Sequence, residues 1–136
     1  MLRACRRVLK PGGRIAYFNI FITHDIPEEE RRRLRDVLGA ERYTRAEQQG
    51  LLRTAGFTNI EETDATPEYE RIQRLLYEAN ARHAPALRRV RGAAVFDDRQ
   101  ASRKRTLENI RNGVLRRSLF VAERAGGSPA EPATSD

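Results

Sequence analysis

Residues Arg7 to Ile20 read R-V-L-K-P-G-G-R-I-A-Y-F-N-I. Pro11 cannot continue a helix, and Gly12 and Gly13 accept backbone angles that other residues avoid, so K-P-G-G predicts the closing turn of a helix. Arg14 to Ile22 then runs almost without interruption through Ile, Ala, Tyr and Phe. Such a run predicts a strand buried on both faces of an α/β sheet. Only Met1 to Arg6 precede the turn.

Downstream of this strand, residues 23 to 26 (Thr-His-Asp-Ile) predict a loop leaving its C-terminal end. Pro27 suits a first helical turn, and Glu28, Glu29 and Glu30 are favourable near the positive end of the helix. Leu34, Val37 and Leu38 give it an apolar stripe, and Gly39 closes it. Thr44 and Glu47 have the spacing of a capping box, predicting a helix through Leu51 and Leu52 that ends at Gly56. Phe57 to Thr63 reads as a more exposed strand. Thr66-Pro67 starts a further helix with Tyr69, Ile72, Leu75 and Leu76 on one side, weakening at His83-Ala84-Pro85. Residues 86 to 97 carry no decisive pattern. A helix over about 98 to 112 stops at Gly113, and Leu115 to Glu123 reads as a final strand. Residues 125 to 136 lack large apolar groups, which predicts a disordered tail.

The chain has 136 residues, 39% of them hydrophobic and 33% charged. That composition suits one soluble domain with a real core. No apolar run approaches the roughly 20 residues of a membrane span, and no signal-peptide pattern is visible, so the expected location is cytoplasmic, away from membranes. Cys5 is the only cysteine, which excludes an internal disulfide and any multi-cysteine metal site. It reads as a small apolar residue. The net charge of +7 raises the question of nucleic acid. Lysine occurs only at Lys10 and Lys104, however, and arginines alternate with acids, as in Glu28 to Arg33. This is the pattern of a solvated helix face with internal ion pairs, so nucleic acid is not the expected partner.

Recognised catalytic motifs are absent: there is no G-x-G-x-x-G, Walker, G-x-S-x-G or H-E-x-x-H sequence. Gly12-Gly13 leads into a strand rather than opening a helix, so it does not cradle a phosphate. His24 follows the C-terminal end of a strand, where α/β proteins place ligand sites, and His83 lies far from it in sequence. No metal ligand set is present, and no side chain stands out as a catalytic base.

The order of elements is more telling. R-V-L-K-P-G-G-R-I-A-Y-F-N at 7 to 19, Y-T-R-A-E-Q-Q-G-L-L-R-T-A-G-F-T-N-I-E at 43 to 61 and R-R-S-L-F-V-A-E-R at 116 to 124 together resemble the C-terminal half of a class I S-adenosylmethionine-dependent methyltransferase. The resemblance covers about 1 to 64 and 114 to 124. It implies an α/β fold: part of a Rossmann-like sheet holding the fifth and sixth strands and an antiparallel seventh inserted between them, with a helical insert at about 65 to 113. Residues 1 to 124 would form this partial domain.

In that family the first four strands carry the glycine-rich loop and acidic residue that hold S-adenosylmethionine. No cofactor-binding residue maps onto this chain, so it is expected to be inactive alone. Either the reading frame begins upstream of Met1, or the chain is a remnant. The resemblance places the small-molecule methyl acceptor near the end of the fifth strand, at Phe18, Asn19, Ile20 and Phe21. Tyr69 and Tyr77 of the insert would complete the pocket, with His83 a weaker candidate. Methyl transfer is an in-line attack that depends chiefly on positioning. Two other readings remain. One is a non-enzymatic module pairing with itself or a partner through the free edge of strand 14 to 22; the other is a basic nucleic-acid-binding domain.

Overall fold

The computed structural model describes residues 1–23, 25–38 and 45–126. The short helix α1 (Leu2–Val8) ends at the predicted turn, where Gly12 takes a φ of 77°. Strand β1 (Arg14–Ile22) follows, then α2 (Glu28–Leu38), α3 (Arg45–Thr54), β2 (Phe57–Asp64), α4 (Thr66–Arg82), α5 (Ala84–Arg91), α6 (Ala93–Arg111) and β3 (Leu115–Arg124). His24, Gly39, Thr44 and the expected tail beyond Gly126 lie outside the described residues.

The sheet order is β1-β3-β2, and β3 runs antiparallel to both neighbours. The last strand in sequence is therefore the central one, as the resemblance implied. It pairs with β1 from Arg14↔Glu123 to Ile22↔Leu115. An irregularity interrupts its ladder with β2 between Thr58 and Glu61, next to Asn59, which has a φ of 49°. The turns close on each other: the Gly12 N–H donates to Arg124 O at 3.0 Å, and the Arg124 N–H donates to Gly13 O at 2.7 Å.

Strand side chains alternate between faces. On one face Leu52 and Ala55 of α3 pack with Phe57, Phe120 and Ala122. Leu52, Phe120 and Ala122 are fully enclosed. Tyr17 joins this core, its ring stacked on Phe120 with centroids 5.6 Å apart. On the other face Ile22 and Leu115 pack with Tyr69 of α4 and Ile110 of α6. That second cluster covers only the C-terminal end of β1.

Two expectations change here. β1 is not buried on both faces: Arg14, Ala16 and Phe18 are exposed, and only Phe21 and Ile22 are fully buried. An apolar run encodes the capacity for burial, whereas burial itself depends on what packs over it. The region 86 to 97 is helical, and α6 begins five residues before the expected start at Asp98. Gly92, with a φ of 88°, separates α5 from α6. In α4 only Tyr69 is buried; Ile72, Leu75 and Leu76 face outward. The Glu28 to Arg33 pattern forms intrahelical pairs, with Glu28 accepting from Arg31.

Candidate functional site

The C-terminal end of β1 and the start of α4 meet at β3. Asp64 closes β2, and its Oδ1 accepts hydrogen bonds from the Thr66 hydroxyl at 2.6 Å and the Thr66 N–H at 3.0 Å. The Thr66 oxygen accepts from the Arg117 N–H at 3.0 Å, and Ala65 N–H donates to Arg117 O at 2.8 Å. These bonds lock the first turn of α4 onto β3 and fix where Tyr69 stands.

Arg116 and Arg117 point to opposite faces of β3. Arg116 donates to Asp64 Oδ2 at 3.0 Å. The hydrogen bond from the Thr66 hydroxyl, followed by the charge of Arg116, holds the Asp64 carboxyl below its ordinary range. Arg117 lies over Phe18, with its guanidinium carbon 4.0 Å from the ring centroid, and 5.7 Å from the Tyr69 centroid. It is half-buried, and its guanidinium makes no hydrogen bond or ion pair among the described residues.

The expected acceptor residues therefore separate only in part. Phe18 and Tyr69 come together through Arg117. Phe18 is 53% exposed, whereas Tyr69 is buried. Asn19 faces the α3 side and lines a cleft of ≈ 770 Å³ with Phe18, Tyr17, Gln48, Leu51 and Thr54. There the Tyr17 hydroxyl donates to Gln48 Oε1 at 3.1 Å, and burial pushes the Tyr17 pKa up. Asn19 Nδ2 is buried without a hydrogen-bond partner. Phe21 is buried in the sheet, and Ile20 flanks the Tyr69 cluster. Tyr77 lines a separate groove of ≈ 260 Å³ between α4 and α6, with Arg74, Lys104 and Arg111. His83 is exposed at the junction of α4 and α5. Cys5 is half-buried.

Arg117 had no place in the sequence-based candidate list. The signal available was a charged side chain inside an apolar strand, L-R-R-S-L-F-V, which calls for a partner.

The N–H groups of Gly12, Gly13, Gly56, Gly92 and Gly113 all donate to backbone carbonyls. No group of three or more His, Cys, Asp or Glu residues that could hold a metal occurs among the described residues. Nor is any described helix long and apolar enough to cross a membrane.

No protein-family model and no curated protein matches the sequence. Solved structures do match. A phosphoethanolamine N-methyltransferase from Haemonchus contortus aligns over 91% of this chain at a TM-score of 0.77 and 18% identity. A Galdieria sulphuraria protein assigned as a sarcosine dimethylglycine methyltransferase aligns over 93% at 0.80 and 12%. The chain has part of the class I methyltransferase fold. A cyclopropane synthase from Mycobacterium tuberculosis aligns over 90% at 0.77 and 15%. The chain spans 29%, 47% and 48% of these three structures, respectively.

Proposed function

We propose that this chain is the C-terminal part of an S-adenosylmethionine-dependent methyltransferase acting on a small molecule. Its acceptor site would lie at the C-terminal end of β1, where Phe18, Arg117 and Tyr69 meet. Helices α4 to α6, within about 65 to 113, would form the insert over that site, with Asn19, Phe21 and Tyr77 more distant contributors. The observation carrying this reading is the antiparallel β3 between β1 and β2, in a sheet that superposes on methyltransferases at TM-scores up to 0.80. Further support comes from neighbours named for small acceptors, phosphoethanolamine and sarcosine. Ligand sites of open α/β sheets also gather at the C-terminal ends of their strands.

The chain's own residues would bind and orient the acceptor, and orientation is a large part of the barrier to a two-substrate reaction. S-Adenosylmethionine would supply the methyl group. This polypeptide alone would be inactive. Calorimetry of the chain with S-adenosylmethionine tests that reading. The expected result is no binding heat; micromolar binding would show that the chain holds the donor by itself.

A second reading has its own observation. Among the described residues β1 hydrogen-bonds to β3 alone, leaving its other edge without a strand partner. Such an edge is a template for strand addition, by another copy or by a partner chain. Sedimentation over a range of concentrations tests self-association: a concentration-dependent dimer supports it, and a monomer throughout contradicts it.

A further inference from the structure

We propose that Arg117 is the anion-recognising residue of the acceptor site, and that the acceptor carries a carboxylate or a phosphate. This rests on the acceptor-site reading above and adds the chemical class of the substrate.

Arg116 and Arg117 carry the argument between them. Both guanidinium groups leave bulk water in part. Arg116 finds a carboxylate, Asp64, at 3.0 Å. Among the described residues, Arg117 has only the rings of Phe18 and Tyr69. Stacking uses the flat faces of a guanidinium and leaves its in-plane N–H donors uncommitted. Those donors form the rigid fork that matches carboxylate and phosphate oxygens two at a time. Asp64 is already engaged by Arg116 and Thr66, so it does not compete for the fork.

The position is also favourable. Arg117 pairs in register with Ile20, at the boundary between the part of the face that Tyr69 and Ile110 cover and the part where Phe18 is exposed. An anion there is reached from solvent, yet meets the cation against apolar walls, where water weakens the attraction less. The backbone of Arg117 is pinned on both sides, through its N–H to Thr66 and its carbonyl from Ala65. The base of the side chain is thus held in place before any ligand arrives.

Three probes share a short amine scaffold and differ in the anion: phosphoethanolamine, glycine and ethanolamine, which has none. Calorimetry on the full chain compares them in the wild type, Arg117→Met, Arg117→Lys and Arg88→Met. Arg88 pairs with Asp97 on the helical insert and serves as the control. The wild type should bind at least one anionic probe, with ethanolamine at least about tenfold weaker. The better of the two anionic probes identifies phosphate or carboxylate. Arg117→Met should weaken the anionic probe at least about tenfold and leave ethanolamine unchanged. Arg117→Lys should fall between, since it keeps the charge and loses the fork, and Arg88→Met should match the wild type.

The proposal is overturned if Arg117→Met, folded by circular dichroism, keeps the anionic affinity, or if ethanolamine binds as tightly as the other two. Should Arg117→Met not fold, Arg117→Lys with undiminished affinity overturns it. If ethanolamine binds well and the anion adds nothing, only the role of Arg117 fails. If no probe binds the wild type, the acceptor-site reading fails, and this proposal with it.

Discussion

The two faces of the sheet differ sharply. Toward α3 the side chains of β3 close a finished core: Phe120 and Ala122 have no exposed surface, and Ser118 is satisfied by Glu62 at 2.8 Å. On the opposite face, Leu119 and Val121 are only partly buried, Ala16 and Phe18 are exposed, and a cation sits between two rings. The same three strands build both faces. One holds the fold together, and the other leaves apolar and charged side chains accessible. Stability should therefore be concentrated on the α3 face, and ligand response on the other.

Substitutions on the two faces test that division. Phe120→Ala removes a fully buried ring and should cost about 3–5 kcal/mol in urea denaturation. Phe18→Ala, on the same sheet, should cost about 1 kcal/mol or less, because it loses mainly the contact with Arg117. Equal costs would erase the contrast between the faces.

Gly56 supports the α3 face by a different route. Its φ is 92°, and an added Cβ would stand 2.5 Å from Arg6 Nε. Gly56→Ala should cost about 1–2 kcal/mol, mostly from the left-handed backbone, because the arginine can move aside. Thermal melts of the variant measure this directly.

At the junction of the two regions, Thr66→Val removes the oxygen that accepts from the Arg117 N–H. A loss of about 1–2 kcal/mol is expected, together with increased hydrogen exchange at Arg117.

The smallest effect concerns pH. The Asp64 carboxyl has a depressed pKa in the folded chain, from Thr66 first and Arg116 after it. Its stabilising contribution is therefore complete above the unfolded value of about 4 and disappears as pH falls through the lower native value. Because the group is largely exposed, the amount should stay below about 1 kcal/mol. Asp64→Asn should remove that part of the acid dependence in denaturation curves recorded from pH 6 to pH 2.

Much of the fold was legible locally. The K-P-G-G turn, the helix stop at Gly56 and the strand starting at Leu115 depend on glycine backbone freedom and on apolar patterning, which neighbouring residues express by themselves. The central, antiparallel placement of β3 came from the order of elements and its family resemblance, since no local pattern specifies a strand's neighbours. The helix α5 was hidden because A-P-A-L-R-R-V-R is short, opens beside a proline and offers only Leu87 and Val90 as large apolar residues, too few to reveal a period. The openness of the Phe18 face was hidden for another reason: an apolar strand reads alike whether or not something covers it. In the candidate site, Phe18 and Tyr69 were legible as aromatic residues near a strand end. Arg117 was not, because the lack of a carboxylate partner among the described residues belongs to the folded neighbourhood rather than to the sequence.

The central claim is that ligand chemistry belongs to the open face. It can be read from the aromatic proton resonances of the chain during titration with phosphoethanolamine and glycine. The account predicts shifts at the Phe18 and Tyr69 rings, with Tyr17 and Phe120 unmoved. Shifts confined to Tyr17 and Phe120, or none at any ring, would contradict it.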